Sequence, residues 1–180
     1  LGQVLFFRGF FGVVIYFFIM PRERIKNFYY TKRAKLHFLR CIFGLIALIA
    51  IFIALRKLPL ATVVSISFAA PIFTTIFSII LLNEKVGFYR WLAVLIGFIG
   101  IIVITEPGFD NLNVYYLYPI IFCLGLSYVA ITIRQLSTTE PVWLISLNFS
   151  IVITLASLFT IPSGWVMPNT QDLVLLCMIG

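Results

Sequence analysis

Six long apolar runs, each near the length of a membrane-spanning helix, limit what this chain can fold into. They lie at about 4–20, 38–55, 62–82, 89–105, 114–133 and 142–161, and a seventh begins at about 172. Roughly 20 apolar residues in a helix cross a bilayer core of about 30 Å. The runs lack the strict alternation of outer-membrane strands, and a series of runs is not a signal peptide. The pattern predicts an all-α polytopic membrane protein.

Composition agrees with this class. Only 11% of the 180 residues are charged, whereas a soluble domain carries about 25%. The lipid bilayer is therefore the first partner, and the net charge of +7 does not indicate nucleic acid, for which this helix pattern offers no binding fold. Three cysteines, Cys41, Cys123 and Cys177, lie inside apolar runs and are predicted to be small buried hydrophobic residues.

The basic residues predict the orientation of the chain. The gaps on one side, at 21–40, 83–90 and 134–141, hold ten Lys or Arg, and the other side holds two, or three with Arg8. The positive-inside rule places the ten in the cytoplasm. We expect His37 to be a solvated loop residue and Arg40 to reach the lipid headgroups from its helix end.

Small residues at helical spacing mark one face on two runs. They are Gly44, Ala47 and Ala54 in the second run and Ala93, Gly97 and Gly100 in the fourth. Faces of this kind let helix backbones approach closely in lipid. Both faces are predicted to pack against other helices.

A weakly polar stripe runs along the 62–82 run, formed by Ser67, Pro71, Thr74 and Ser78. Pro71 has no N–H, so it frees a carbonyl that needs a neighbour, a hydroxyl or water inside the membrane. The stripe fits either a solute path or ordinary helix packing, and the pattern alone does not decide between them.

Other runs carry comparable polar positions. The 114–133 run has Gly125, Tyr128 and Thr132, and the 142–161 run has Ser146, Ser150, Thr154 and Ser157, with Asn148 on a different face. In the first run Arg8 lies among phenylalanines, near the face of Gly12 and Tyr16. An Arg there either faces a wet cavity and holds an anionic group or snorkels to the interface.

The sequence contains no catalytic or metal-binding signature. HExxH, GxSxG and a phosphate loop are absent, His37 is the single histidine, and the acidic residues fall at the ends of runs. No enzyme activity, metal or bound cofactor is predicted.

The stretch from Leu58 to Gly108 carries a family resemblance. It contains Leu58-Pro59-Leu60-Ala61, Ala70-Pro71-Ile72-Phe73, Leu82-Asn83-Glu84-Lys85-Val86, Arg90-Trp91, Gly97-Phe98-Ile99-Gly100 and Glu106-Pro107-Gly108. This stretch resembles the EamA type of the drug/metabolite transporter superfamily. The resemblance implies ten helices in two inverted five-helix repeats, of which this chain would hold about six and a half. Residues 1–108 would then be the first repeat without its first helix, and 109–180 the truncated start of the second. It also implies that Glu84 is a structural or gating turn residue and Pro71 a helix break beside a central cavity.

We therefore expect a multi-pass secondary transporter of the bacterial inner membrane. It would move a small polar metabolite, such as an amino acid, S-adenosylmethionine or a nucleotide-like solute, by alternating access. The expected cavity residues are Arg8, Tyr16, Ser67, Pro71, Thr74, Tyr128 and Asn148. A second copy of the chain is a candidate partner in a homodimer. The alternatives are a membrane-embedded lipid-modifying enzyme and a structural membrane protein without a solute path.

Overall fold

The helices follow the predicted runs. The computed structural model of the chain describes residues 2–19, 31, 33–105, 114–161, 165 and 176. Its helices are α1 (Gly2–Ile19), α2 (Ala34–Lys57), α3 (Leu60–Ser67), α4 (Ala70–Leu82), α5 (Phe88–Thr105), α6 (Leu117–Ser137) and α7 (Val142–Leu158), with a 3-10 turn at Val114–Tyr116 before α6. No strand occurs in these ranges, which confirms the all-α prediction. The predicted seventh run, except Leu176, and the closing Pro107-Gly108 lie outside the described residues.

Within the described part of the chain, three stretches are long and apolar enough to cross a membrane, namely Ala34–Lys57, Leu60–Leu82 and Val114–Ser137. Shorter apolar helices cover Gly2–Tyr16, Trp91–Gly100 and Val142–Leu158. The chain divides into two compact units, one of Leu1–Cys41 with Leu136–Gly180 and one of Ile42–Gln135. We call them the outer-segment unit and the central unit. These units do not follow the expected repeat boundary at residue 108, which concerns internal symmetry and stays a prediction.

In the central unit, α6 packs closely on α2 through a glycine. A Cβ built on Gly125 would lie 2.8 Å from the Ala47 Cβ and 2.9 Å from the Phe43 carbonyl oxygen. Ala47 and Ala54 are buried, so the small-residue face predicted for α2 is confirmed. The predicted face of α5 meets no neighbour among the described residues, because nothing there lies within 4 Å of a Cβ built on Gly97 or on Gly100. The packing of this face stays a prediction.

In the outer-segment unit, α1 packs along α7. A Cβ on Gly9 would lie 2.9 Å from the Ser150 carbonyl oxygen, and one on Gly12 would lie 2.9 Å from the Ser150 hydroxyl. The Thr154 hydroxyl also faces Gly9. The hydroxyl stripe of α7 is therefore a helix-packing face against the glycines of α1.

Two sequence predictions fail at the start of α2. His37 is a helical residue with 6% of its surface exposed, and its Nε2 pairs with the Glu140 carboxylate. The Thr31 hydroxyl donates to the same carboxylate at 2.7 Å. Arg40 is also buried, donates from Nη1 to the Ile145 carbonyl oxygen at 3.0 Å, and lies over the Phe149 ring. Folding brings a carboxylate and a carbonyl from distant segments to these side chains, which replaces the water expected for them.

Contacts at the helix ends agree with the predicted alternation of sides. Arg134 at the end of α6 pairs with Glu84, which follows α4. At the other end, the Lys57 ammonium lies 5.5 Å from the centre of the Tyr115 ring. Gaps that the charge count assigns to one side therefore meet within the central unit.

Candidate functional site

The break between α3 and α4 is the most irregular backbone in the central unit. Phe68 and Ala69 separate the two helices, and Pro71 stands in the first turn of α4. In an unbroken helix the N–H of residue 71 would bond to the Ser67 carbonyl, and proline has none. The Ala69 N–H bonds instead to Ile66 in a tighter turn, at 2.9 Å. The predicted helix break at Pro71 is present, and it leaves carbonyl oxygens without their usual helical donors.

Helix α6 supplies side-chain donors to carbonyls at and beside the break. The Cys123 thiol lies 3.3 Å from the Ile66 carbonyl oxygen and 3.6 Å from that of Ser67. One turn later, the Ser127 hydroxyl donates to the Ala70 carbonyl oxygen at 2.8 Å. Cys123 and Ser127 are both fully buried. Membrane helices with a proline depend on such neighbours, because lipid offers no replacement for water.

Sequence reasoning treated Cys123 only as a small hydrophobic residue and passed over Ser127. Cys123 is indeed buried, and Cys41 as well, but the Cys123 thiol is also a weak donor to the break. The available signal was the spacing of four residues between them, which places both donors on one face of a helix.

The hydroxyls of the polar stripe are engaged with their own helices. Ser67 donates to Val63, Thr74 to Ala70, and Thr75 to Pro71, at 2.7 to 2.9 Å. Ser78 donates to Thr75 at 2.9 Å. Each hydroxyl oxygen keeps lone pairs, so the stripe presents hydrogen-bond acceptors while its donors serve the backbone.

A cavity of about 470 Å³ opens beside this stripe. Its lining residues on α4 are Ala70, Pro71, Thr74, Thr75 and Ser78; those on α6 are Leu126, Ala130, Ile131 and Arg134; Glu84 completes it. One wall is thus lined by hydroxyls and the opposite wall by apolar side chains. A concave site with few polar groups on an apolar background suits an organic solute, and known ligand pockets span roughly 300 to 1,000 Å³.

An ion pair borders the cavity. The Arg134 guanidinium contacts both carboxylate oxygens of Glu84, Nη2 at 2.6 Å and Nη1 at 3.0 Å. Asn83 positions the acid because it ends α4 in the left-handed conformation, with φ of 52°. The N–H groups of Asn83 and Glu84 both turn back to the Ser78 carbonyl oxygen, that of Glu84 at 3.3 Å, and so close the end of the helix. Sequence reasoning named Glu84 and did not name its partner Arg134.

The predicted site residues fall in different places. Pro71, Thr74 and Glu84 line the cavity. Ser67 is not among its lining residues. Tyr128 is also outside the lining, and its ring packs 4.3 Å from that of Phe43 and 6.3 Å from that of Phe77. The predicted stripe of α6 thus faces aromatic neighbours and α2, and the adjacent face of α6 lines the cavity.

The remaining predicted residues belong to the outer-segment unit. Arg8 is exposed on α1, while Tyr16 on α1 and Asn148 on α7 are half-buried. The structure does not place these three among the lining residues of the described cavity. Among the described residues, no group of three or more His, Cys, Asp or Glu is arranged to hold a metal ion.

Comparison with known proteins decides the family. The profile of the EamA-like transporter family matches residues 2–106, more than half of the chain. The chain belongs to the EamA-like transporter family. It is accordingly a multi-pass protein of the bacterial inner membrane, and the EamA family and its named members are transporters rather than enzymes.

The similar EamA relatives carry different substrate names. The S-adenosylmethionine uptake transporter of Rickettsia prowazekii is 29% identical over 179 residues, which are 99% of this chain and 60% of the relative. That of Rickettsia conorii is 28% identical with the same coverage. The riboflavin transporter of Vibrio cholerae is 33% identical over 117 residues, 65% of this chain and 39% of the relative. The chain therefore spans about three fifths of the Rickettsia relatives' length, 60% in each case. No solved structure matches this chain.

Proposed function

We propose that this chain forms the greater part of a secondary carrier that moves a small polar metabolite across the bacterial inner membrane by alternating access. The observation that carries the proposal is the cavity between α4 and α6, which lies beside a proline break and contains both hydroxyls and an ion pair.

The cavity's chemistry suits a solute with an apolar body and polar groups. Thr74, Thr75 and Ser78 offer acceptor oxygens, and Leu126 and Ile131 offer apolar surface. The break supports this arrangement, because the donors from α6 are neutral and form individually weak bonds. Such bonds re-form readily when two helices shift relative to each other, as alternating access requires.

The expected repeat architecture belongs to this proposal. In that architecture residues 1–108 form a first repeat and 109–180 begin an inverted second one; the family match over 2–106 supports the first boundary. Arg8, Tyr16, Ser67, Tyr128 and Asn148 stay proposed solute contacts of the complete carrier. So does a homodimer. A lipid-modifying enzyme is not supported by the relatives, all three of which are named as transporters.

Uptake into vesicles containing the full-length protein tests the function. The panel contains S-adenosylmethionine, riboflavin and the common L-amino acids, which represent the relatives' named solutes and simpler polar metabolites. We expect at least one to accumulate faster than in protein-free vesicles. A correctly inserted protein that transports no member of such panels, extended to nucleosides and nucleotides, would contradict the proposal.

A pair of threonines supplies a matched control for the cavity. Thr74 and Thr132 each donate to the carbonyl four residues earlier, at 2.9 and 2.8 Å, but Thr74 lines the cavity and Thr132 does not. Thr74→Val should therefore reduce uptake, while Thr132→Val should leave it near the wild-type rate. If the two variants changed uptake equally, the cavity would not be part of the solute path.

A further inference from the structure

The Glu84–Arg134 pair places one negative and one positive group side by side at the cavity. The two contacts, at 2.6 and 3.0 Å, form a fork in which each carboxylate oxygen faces one guanidinium nitrogen. The Arg134 side chain is 60% exposed and that of Glu84 30% exposed, so both are accessible from the solvent side of the cavity. Exposed pairs of this kind contribute little to stability. They therefore exchange partners at small cost.

Charge balance selects the solutes that could exchange with this pair. A solute carrying only a carboxylate would take Arg134 and separate Glu84 from its counter-ion. A solute carrying only an ammonium would take Glu84 and separate Arg134 from its counter-ion. In either case the solute gains one charged contact while the pair loses one, so the exchange brings no net gain of charged contacts. A solute with both groups replaces one ion pair by two and leaves neither side chain without an opposite charge.

We propose that Glu84 and Arg134 together recognise the zwitterionic head group of an α-amino acid or of an amino acid derivative. Arg134 binds the carboxylate through its planar fork, and Glu84 binds the ammonium. The body of the solute lies along the cavity between the hydroxyls of α4 and the apolar side chains of α6. The proposal rests on the transport function proposed above and narrows its substrate class.

The local structure suits this role. Glu84 is held by the left-handed Asn83 and by the bond of its N–H to Ser78, so its carboxylate has a fixed origin beside the cavity. Arg134 stands in the last turn of α6 and reaches Glu84 from this second helix. The two charges therefore come from different helices and meet beside the cavity.

A purely mechanical latch is the rival explanation, and it predicts a different result. A latch holds α4 and α6 together irrespective of what the solute carries. Gln135 offers a matched control, because its Nε2 donates to the Leu81 carbonyl oxygen at 3.4 Å and ties the same two helix ends without charge. Its substitution by Ala removes this uncharged tie and keeps both charged side chains in place.

The experiment combines residue changes with changes to the solute. Full-length protein in vesicles takes up labelled S-adenosylmethionine in competition with unlabelled S-adenosylmethionine, its decarboxylated analogue and its deaminated analogue. In the wild type, we expect both analogues to compete at least about tenfold more weakly, the loss typical of one charged hydrogen-bonded contact. Arg134→Gln should weaken the competition by S-adenosylmethionine and leave that by the decarboxylated analogue unchanged. Glu84→Gln should weaken the competition by S-adenosylmethionine and leave that by the deaminated analogue unchanged. Gln135→Ala should leave the three compounds competing in the same order as in the wild type.

The outcomes separate this inference from the transport proposal. Analogues that compete as well as S-adenosylmethionine, or single variants that weaken all three compounds equally, would overturn head-group recognition while transport stands. Selective uptake of riboflavin, which has no such head group, would overturn it too. Absence of any uptake by the inserted protein would instead contradict the transport function itself.

Discussion

Replacing Gly125 by alanine tests the helix packing of the central unit with a single methyl group. The added Cβ would lie 2.8 Å from the Ala47 Cβ and 2.9 Å from the Phe43 carbonyl oxygen. Ordinary contacts between such atoms are about 3.5 Å or longer. The Phe43 oxygen is part of the α2 backbone, so it cannot rotate away as a side chain would. Helices α2 and α6 must therefore separate by about half an ångström, which also disturbs the packing of the Phe43 and Tyr128 rings.

The magnitude follows from two opposing effects. Overpacking of this kind costs about 1 to 3 kcal/mol. Alanine in place of glycine inside a helix returns about 0.5 to 1 kcal/mol. We expect Gly125→Ala to lower the free energy of unfolding by up to about 2.5 kcal/mol, where roughly every 1.4 kcal/mol is a tenfold change in the ratio of folded to unfolded protein.

Gly97 is the matched control, since it also lies inside a helix and nothing approaches its Cβ position within 4 Å in the described structure. Gly97→Ala should be neutral or raise the stability by about 0.5 to 1 kcal/mol. The assay is unfolding of the full-length protein by denaturant in mixed micelles, followed by far-ultraviolet circular dichroism. Equal stability of the two variants would refute the close approach of α2 and α6.

Three further changes address the break and the topology. Pro71→Ala restores a backbone N–H and should straighten the helix, so uptake slows while insertion and folding remain; unchanged uptake would make the break a packing feature only. Ser127→Ala removes the donor from α6 and should cost about 1 kcal/mol in the same unfolding assay, whereas Ser65→Ala, which removes only a bond within α3, should cost less. Cysteine at Lys85 should react with a membrane-impermeant reagent only from the cytoplasm, and cysteine at Lys57 only from outside; labelling of both from one side would contradict the orientation.

Helix positions were predictable because lipid acts on each segment separately. The run at 38–55 became α2 at Ala34–Lys57, and the run at 142–161 became α7 at Val142–Leu158. A segment of about 20 apolar residues has one stable form in a membrane, so its composition alone predicts a helix. The break near Pro71 was predictable for an equally local reason, the missing N–H.

Partners between segments were not predictable in the same way. Periodicity tells which residues share a face, and it does not tell which helix that face meets. Gly125 and Tyr128 therefore looked like a cavity stripe but meet Ala47 and Phe43 of α2. Small and hydroxyl residues serve helix packing and solute paths equally well, so composition does not separate the two uses.

Contacts between charged residues were even harder to predict from the sequence. His37 stands among basic residues in the sequence, and only the fold brings Glu140, more than a hundred positions away, to its imidazole. Arg134 was counted as a cytoplasmic charge, and only the αL ending of α4 reveals that Glu84 meets it beside the cavity. Residue spacing could not predict either pair, because the two partners of each lie far apart in the chain.

The two kinds of polar contact in this protein differ in how readily they come apart, and that difference bears on movement. His37 and Glu140 are both about 6% exposed, so separating them would leave buried ionisable groups without compensation. At the break between α3 and α4, the contacts are a thiol and a hydroxyl on carbonyl oxygens, each worth about 1 kcal/mol or less. The Glu84–Arg134 pair is solvent-accessible and correspondingly weak. A carrier must rearrange around its solute without unfolding, and these contacts of low cost lie at the break and beside the cavity between α4 and α6. That distribution is what a cavity that opens and closes requires, and it makes the cavity rather than the buried His37–Glu140 pair the place to look for solute-dependent change.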